Sequence, residues 1–240
     1  NDWNVWQNAS MFIWPFGGDL LTADGTAAAF NSAEAVDAMA FYTGLYADGL
    51  TPDDTLELNS ASAEGRFHDG LAATYFTGPW DVANSRATGD GAWPATVSAN
   101  YGVTEIPAGP AGQFTFVGGS NLGIFKSCAH PEEAVKLVQY LVGDESQIRY
   151  TTAISMLPVT LSGQASFAGD PMFDVFLSAA AKGRTPNPIA QWGAVENNLQ
   201  TAIQAIWEDV AAAGVGNPLT TEAIKARLDE YAAVVDDLLK

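Results

Sequence analysis

Apolar positions recur at helical spacing along much of this chain, and turn signals separate the periodic stretches. The sequence Asn31–Ser32–Ala33–Glu34 predicts a helix start that resembles a capping box, because an N-cap side chain is followed by an acid three residues later. Pro131 predicts a second start, since proline is favoured at the first helical position. The pattern predicts helices over residues 31–48, 60–67, 131–142, 144–156, 173–182, 195–213 and 221–239.

Short apolar runs predict strands between these helices. The main run covers residues 71–76, after the helix stop Gly70, and the others cover 101–106 and 114–125. The turn Thr77–Gly78–Pro79 ends the main run and presents Trp80. Alternating helices and strands predict an α/β fold in which a central sheet is flanked by helices. Trp80 would then lie at the carboxyl end of a strand, where open α/β sheets bind ligands, although a core tryptophan fits the same pattern.

Charge and composition limit the classes of partner. Acidic residues outnumber basic ones by 28 to 10 among 240 residues, which gives a formal net charge of −18. This field repels nucleic acid and anionic membranes, so neither is predicted as a partner. The chain has a single cysteine and two histidines, so an intrachain disulfide and a cysteine-based zinc site are excluded. No metal or cofactor is predicted. No run has the length of a membrane span, and the first residues are not a signal peptide.

Several motifs occur together in a specific order. They are the stretch from Asn31 to Leu50, the stretch from Phe67 to Trp80, Ile106–Pro107–Ala108–Gly109–Pro110, Gly118–Gly119–Ser120, His130–Pro131–Glu132–Glu133–Ala134 and Leu157–Pro158. In this order the chain resembles the C-terminal part of the sugar-binding proteins that serve bacterial ABC importers, the maltose-binding-like class. The resemblance implies one lobe of a bilobal periplasmic-binding-protein-like fold.

The resemblance also implies a domain division. Residues 1–117 and 162–240 would form the C-terminal lobe, and residues 118–161 would cross the hinge as a remnant of the N-terminal lobe. The N-terminal segment that builds most of the other lobe would lie outside this chain, together with the signal region. The expected location is the extracellular face of the membrane or the periplasm, as a lipoprotein or a secreted protein.

Ligand-binding residues follow from the resemblance at the positions that match. Trp80 is similar to the family's sugar-stacking aromatic residue, and Gly118 and Gly119 resemble hinge glycines whose backbone lies beside the sugar. Trp192 lies where the family often places another aromatic residue.

Four further candidates depend on the register of their segments. Gln191 or Glu196 could face the cleft instead of Trp192. Phe12 and Trp14 match a segment that lines the cleft. Aromatic faces suit the apolar faces of sugars, and amides and carboxylates suit the hydroxyl groups.

The predicted function is therefore non-catalytic binding of a mono- or oligosaccharide for uptake, with the membrane subunits of an ABC importer and the N-terminal lobe segment as partners. One alternative is a glycoside hydrolase-like enzyme, which would need two carboxylates in fixed geometry, from among Asp69, Asp81 and Glu196. Another is an interaction domain without a small ligand, in which the tryptophans are core residues.

Overall fold

Helices dominate the architecture. The computed structural model describes residues 5–90 and 92–240. The helices are α1 (Val5–Phe16), α2 (Ala33–Ala47), α3 (Ser60–His68), α4 (Trp80–Asn84), α5 (Ala95–Ser98), α6 (Pro131–Val142), α7 (Asp144–Ile154), α8 (Leu161–Gln164), α9 (Pro171–Ala181), α10 (Trp192–Ala213) and α11 (Thr221–Leu238). A short 3₁₀ helix covers Thr55–Glu57, and the strands are β1 (Thr115–Phe116) and β2 (Gly183–Arg184).

The helix boundaries confirm the predicted starts and stops. The Ser32 side chain caps α2 by accepting a hydrogen bond from the Ala35 N–H at 3.2 Å. Pro131 is the first residue of α6, and Gly70 adopts the left-handed conformation after α3 with φ of +73°. The local chemistry of caps and glycine stops therefore determines where these helices begin and end.

The sheet is smaller than the sequence pattern predicts. β1 and β2 pair in parallel, with Thr115 opposite Gly183 and Phe116 opposite Arg184. The strands predicted over 71–76 and 101–106 are wrong, and the strand predicted over 114–125 is limited to β1. An apolar run can form a strand only where a neighbouring strand takes up its backbone hydrogen bonds. Leu71 and Phe76 are instead exposed.

α1 is a helix that the sequence pattern did not predict. Its sequence combines several aromatic residues with Pro15 in the interior, and proline disfavours an interior helical position. Tertiary packing outweighs this local preference, because α1 buries Trp6, Ile13 and Trp14 against the rest of the core.

By its internal contacts the described chain divides into two compact units. The first unit contains the described residues up to Tyr75, Ile106–Phe116 and Lys182–Lys240. Its core is formed by α1, α2, α10 and α11, and its largest fully buried side chains include Trp6, Trp14, Phe30, Ile13, Leu21, Met39, Leu199, Ile203, Ile206, Ile224 and Leu228. A paired hydrogen bond from Arg227 to Asp209, at 2.7 and 3.0 Å, joins α11 to α10.

The second unit contains Phe76–Glu105 and Val117–Ala181. Its buried apolar residues are few: Val82, Trp93 and Phe173. The unit also carries many exposed large apolar side chains, here called the apolar face: Leu122, Ile124, Phe125, Val135, Leu137, Tyr140, Leu141, Val142, Tyr150, Ile154, Met156, Val159 and Leu161. Part of this face surrounds a groove of about 440 Å³ between residues 122–128 and α6. None of the described helices is both long and apolar enough to cross a bilayer.

Candidate functional site

Trp80 is an aromatic side chain with one supported and one open side. It is the first residue of α4 and is 45% exposed, which is unusual for the largest apolar side chain. Gly78 is buried directly beneath it, and a Cβ at that position would overlap three atoms of the six-membered ring of Trp80. The ring therefore rests on bare backbone, and no other residue type would fit at position 78 without moving the indole.

A buried carboxylate fixes the start of the same helix. Asp81 is 3% exposed and accepts hydrogen bonds from the Thr77 hydroxyl and from Asn84 Nδ2, the latter at 3.0 Å. Acidic groups in the first turn also interact favourably with the helix dipole. The Asp81 carboxylate thus stabilises the turn that carries Trp80, and both of its oxygens accept hydrogen bonds within this turn and helix.

The two candidate hinge glycines follow β1 in the chain and belong to the second unit. Gly118 and Gly119 are both exposed, and a Cβ at Gly119 would meet no atom within 4 Å. Their backbone is therefore accessible, as a backbone contact with a ligand requires.

The candidates at the start of α10 form a group with a residue that sequence analysis did not select. Trp192 and Glu196 are half-buried and lie one helical turn apart, whereas Gln191 is exposed and precedes the helix. Trp6 on α1 is 2% exposed, and its Nε1–H donates a hydrogen bond to Glu196 Oε1 at 2.9 Å. The structure thus brings Trp6, Trp192 and Glu196 together.

Phe12 and Trp14 occupy different environments on α1. Phe12 is half-buried and its ring stacks on Tyr42 with ring centres 4.1 Å apart. Trp14 is 1% exposed, and its Nε1–H donates to Asp19 Oδ1 at 3.1 Å. A ring buried to this extent supports the core from within and offers no face for stacking on a sugar. Phe12 keeps part of its surface open.

Burial also affects the titration of the side chain beneath Phe12. The loss of solvent around its hydroxyl raises the pKa of Tyr42 to about 12. The Tyr42 ring meets Trp207 edge-on at 5.1 Å, in addition to its stack with Phe12. Among the residues that the structure describes, no group of three or more histidine, cysteine or acidic side chains is arranged to hold a metal ion.

The sequence profile of a family described as bacterial extracellular solute-binding protein matches residues 2–173. The chain belongs to this family. One relative of this chain is the diacetylchitobiose binding protein DasA of Streptomyces coelicolor. It is 25% identical over 213 residues, which cover 86% of this chain and 49% of DasA.

Solved structures of solute-binding proteins share its fold. The sugar-binding protein MalE of Xanthomonas citri superposes with a TM-score of 0.77 at 24% identity, and the match covers 100% of this chain and 57% of MalE. Maltose-bound MalE3 of T. maritima gives a TM-score of 0.75 at 24% identity, over 97% of this chain and 57% of MalE3. The predicted fold class, one lobe of a periplasmic-binding-protein-like fold, is confirmed. The chain spans about half the length of the curated relatives it matches.

Proposed function

We propose that this solute-binding chain captures a mono- or oligosaccharide for uptake by an ABC importer, without chemical conversion. The observation that carries this proposal is the indole of Trp80. It packs on the backbone of Gly78, and the side chain is 45% exposed. The chain belongs to a family of solute-binding proteins. An aromatic face in this arrangement suits the apolar face of a sugar ring.

The sugar-binding relatives support this choice of ligand class. MalE of Xanthomonas citri is a sugar-binding protein, MalE3 of T. maritima was solved with maltose, and DasA is a diacetylchitobiose binding protein. Maltose and diacetylchitobiose are neutral, and a neutral ligand is compatible with a chain of net charge −18. Maltose and diacetylchitobiose are therefore the first probes to try.

We also propose that the complete protein closes its sugar between two lobes, with residues 1–117 and 162–240 in one lobe and 118–161 crossing the hinge. The apolar face lies entirely within residues 118–161, and an exposed apolar surface of this kind is typical of a region that packs against further polypeptide. Its partners would be the membrane subunits of the importer, which it would meet at the extracellular face of the membrane or in the periplasm.

The test is a tryptophan-fluorescence titration with maltose, diacetylchitobiose and a wider panel of mono- and oligosaccharides, followed by calorimetry on Trp80→Ala. We expect Trp80→Ala to cost about 2 kcal/mol of sugar affinity, as the loss of a central aromatic anchor typically does. The free energy of unfolding should change much less, because the indole is exposed.

Trp14→Ala is the matched control, because Trp14 is a tryptophan of the buried core. It should cost about 3–5 kcal/mol of stability through the cavity it leaves. If Trp80→Ala instead lowered stability and left sugar affinity unchanged, Trp80 would not belong to the site. Release of a chromophore from aryl glycosides would support the hydrolase alternative, which requires turnover.

A further inference from the structure

Trp6 connects two of the candidate sugar-binding residues from inside the core. Its Nε1–H donates to Glu196 Oε1 at 2.9 Å, between residues 190 positions apart in the sequence. Its ring also meets the ring of Trp192 at a centre distance of 5.4 Å and an interplanar angle of 67°. One side chain on α1 therefore contacts both Trp192 and Glu196, which α10 presents one turn apart.

The indole of Trp6 is itself held in place. Phe116 of β1 packs edge-on against it at 5.4 Å and 87°, and the ring is 2% exposed. Edge-to-face contacts of this kind are favourable between aromatic rings, and a buried ring has little freedom to change rotamer. The position of the Trp6 N–H is therefore determined by the packing of α1, β1 and α10.

The Glu196 carboxylate is engaged through one of its two oxygens. Oε1 accepts from Trp6, and no described residue donates a hydrogen bond to Oε2. A carboxylate that is anchored by one oxygen can accept a hydrogen bond from a ligand hydroxyl at the other without losing its orientation. The neighbouring Trp192 is half-buried and keeps part of its ring surface open.

From this arrangement we infer that Trp6 is the positioning residue of a sugar subsite in the first unit. It fixes the Glu196 carboxylate as a hydroxyl acceptor and sets the ring of Trp192 beside it as an apolar platform. Trp6 does not touch the sugar, and it acts through the two residues that do. The inference rests on the proposed function and concerns contacts within the first unit alone.

The indole N–H distinguishes this role from simple core packing. Trp6→Phe keeps an aromatic ring against Phe116 and Trp192 but removes the donor to Glu196. In the folded protein it should weaken binding of maltose or diacetylchitobiose about tenfold, as expected for a hydrogen bond to a charged group. In a Glu196→Ala background the same change should have almost no further effect, because the carboxylate that Trp6 positions is absent.

The contact can also be measured without any sugar. The indole N–H groups of the seven tryptophans give separate signals in a ¹⁵N-correlated NMR spectrum, and Trp6→Phe, Trp80→Phe and Trp192→Phe identify three of them by their loss. Glu196→Ala should then shift the Trp6 signal strongly. An unchanged Trp6 signal in Glu196→Ala would overturn the inference, and so would equal affinity losses from Trp6→Phe in both backgrounds.

Titration of the full chain with maltose and with diacetylchitobiose separates this inference from the proposed function. The subsite is supported if the sugar shifts both the Trp80 and the Trp192 signals and if Glu196→Ala abolishes these shifts and weakens sugar affinity. A shift of the Trp80 signal alone leaves the proposed function standing and overturns the subsite. If neither these two sugars nor any member of the wider panel of mono- and oligosaccharides moves either signal, the proposed function and the subsite both fail.

Discussion

α11 in the first unit and α6 in the second are both amphipathic helices, but they differ in how much they bury. α11 buries Ile224, Leu228, Ala232 and Val235, whereas α6 buries no residue and exposes five large apolar side chains. An amphipathic stripe shows that a helix needs a partner surface, and the rest of the chain decides whether one is present. In the first unit α1, α2, α10 and α11 cover one another.

The difference predicts opposite responses to the same substitution. Leu199 on α10 is fully buried and Leu137 on α6 is 58% exposed. Leu199→Ala should cost about 2–5 kcal/mol in the free energy of unfolding, because it leaves a cavity in the core. Leu137→Ala should change it by no more than about 0.5 kcal/mol. Chemical denaturation of the two variants measures both values.

Leu137 is also the matched control, since each substitution removes the same atoms from a helix. Equal losses of stability would mean that α6 is covered in solution, by a second copy or by another part of the chain, and that the contrast between the two units does not hold.

Hydrogen exchange sharpens the comparison at the level of the backbone. Amides in residues 118–161 should exchange about a hundredfold faster than those of α10 and α11, because few buried apolar contacts hold α6 and α7 closed. Mass spectrometry of peptides from the exchanging chain gives both rates in one experiment. Uniform protection across these segments would indicate that the second unit is as stable as the first.

The smallest expected effect is a dependence on alkaline pH that is confined to the first unit. Burial raises the pKa of Tyr42 to about 12, above its ordinary value near 10. The folded state therefore holds this proton more tightly than the unfolded state. The resulting stabilisation is complete below pH 10 and is lost as the pH rises toward 12.

The free energy of unfolding should fall between pH 9 and pH 12, and we expect Tyr42→Phe to make this fall smaller by about 1–2 kcal/mol. Denaturant melts across this pH range measure the difference. Tyr140→Phe in α6 is the control, because the Tyr140 side chain is 63% exposed. The same change of slope in both variants would show that burial in the first unit is not the cause.

The helices could largely be predicted from the sequence because their signals are local. The Ser32 cap, the Pro131 start and the Gly70 stop each act within one turn of the backbone. The strands could not be predicted in the same way. Residues 71–76 have the length and composition of a strand, but a strand also needs a partner from elsewhere in the chain.

The residues of the candidate site also differ in whether a local sequence signal or a contact between distant residues reveals them. Trp80 could be found from the local turn Thr77–Gly78–Pro79, and the structure leaves its ring exposed. Trp6 was missed because its significance depends on Glu196, which lies 190 positions further along the chain. Trp14 and Phe12 belong to one segment, and the helical periodicity of α1 separates the buried ring of Trp14 from the half-buried ring of Phe12.

The contact between Gly78 and Trp80 has a thermodynamic consequence for ligand capture. A flexible side chain loses rotamer entropy when a ligand immobilises it, and that loss opposes binding by about 0.5–1.5 kcal/mol. The indole of Trp80 is already held on one side by the backbone at Gly78. Part of this entropy is therefore lost during folding, so that the Trp80 ring is partly preorganised when a ligand arrives.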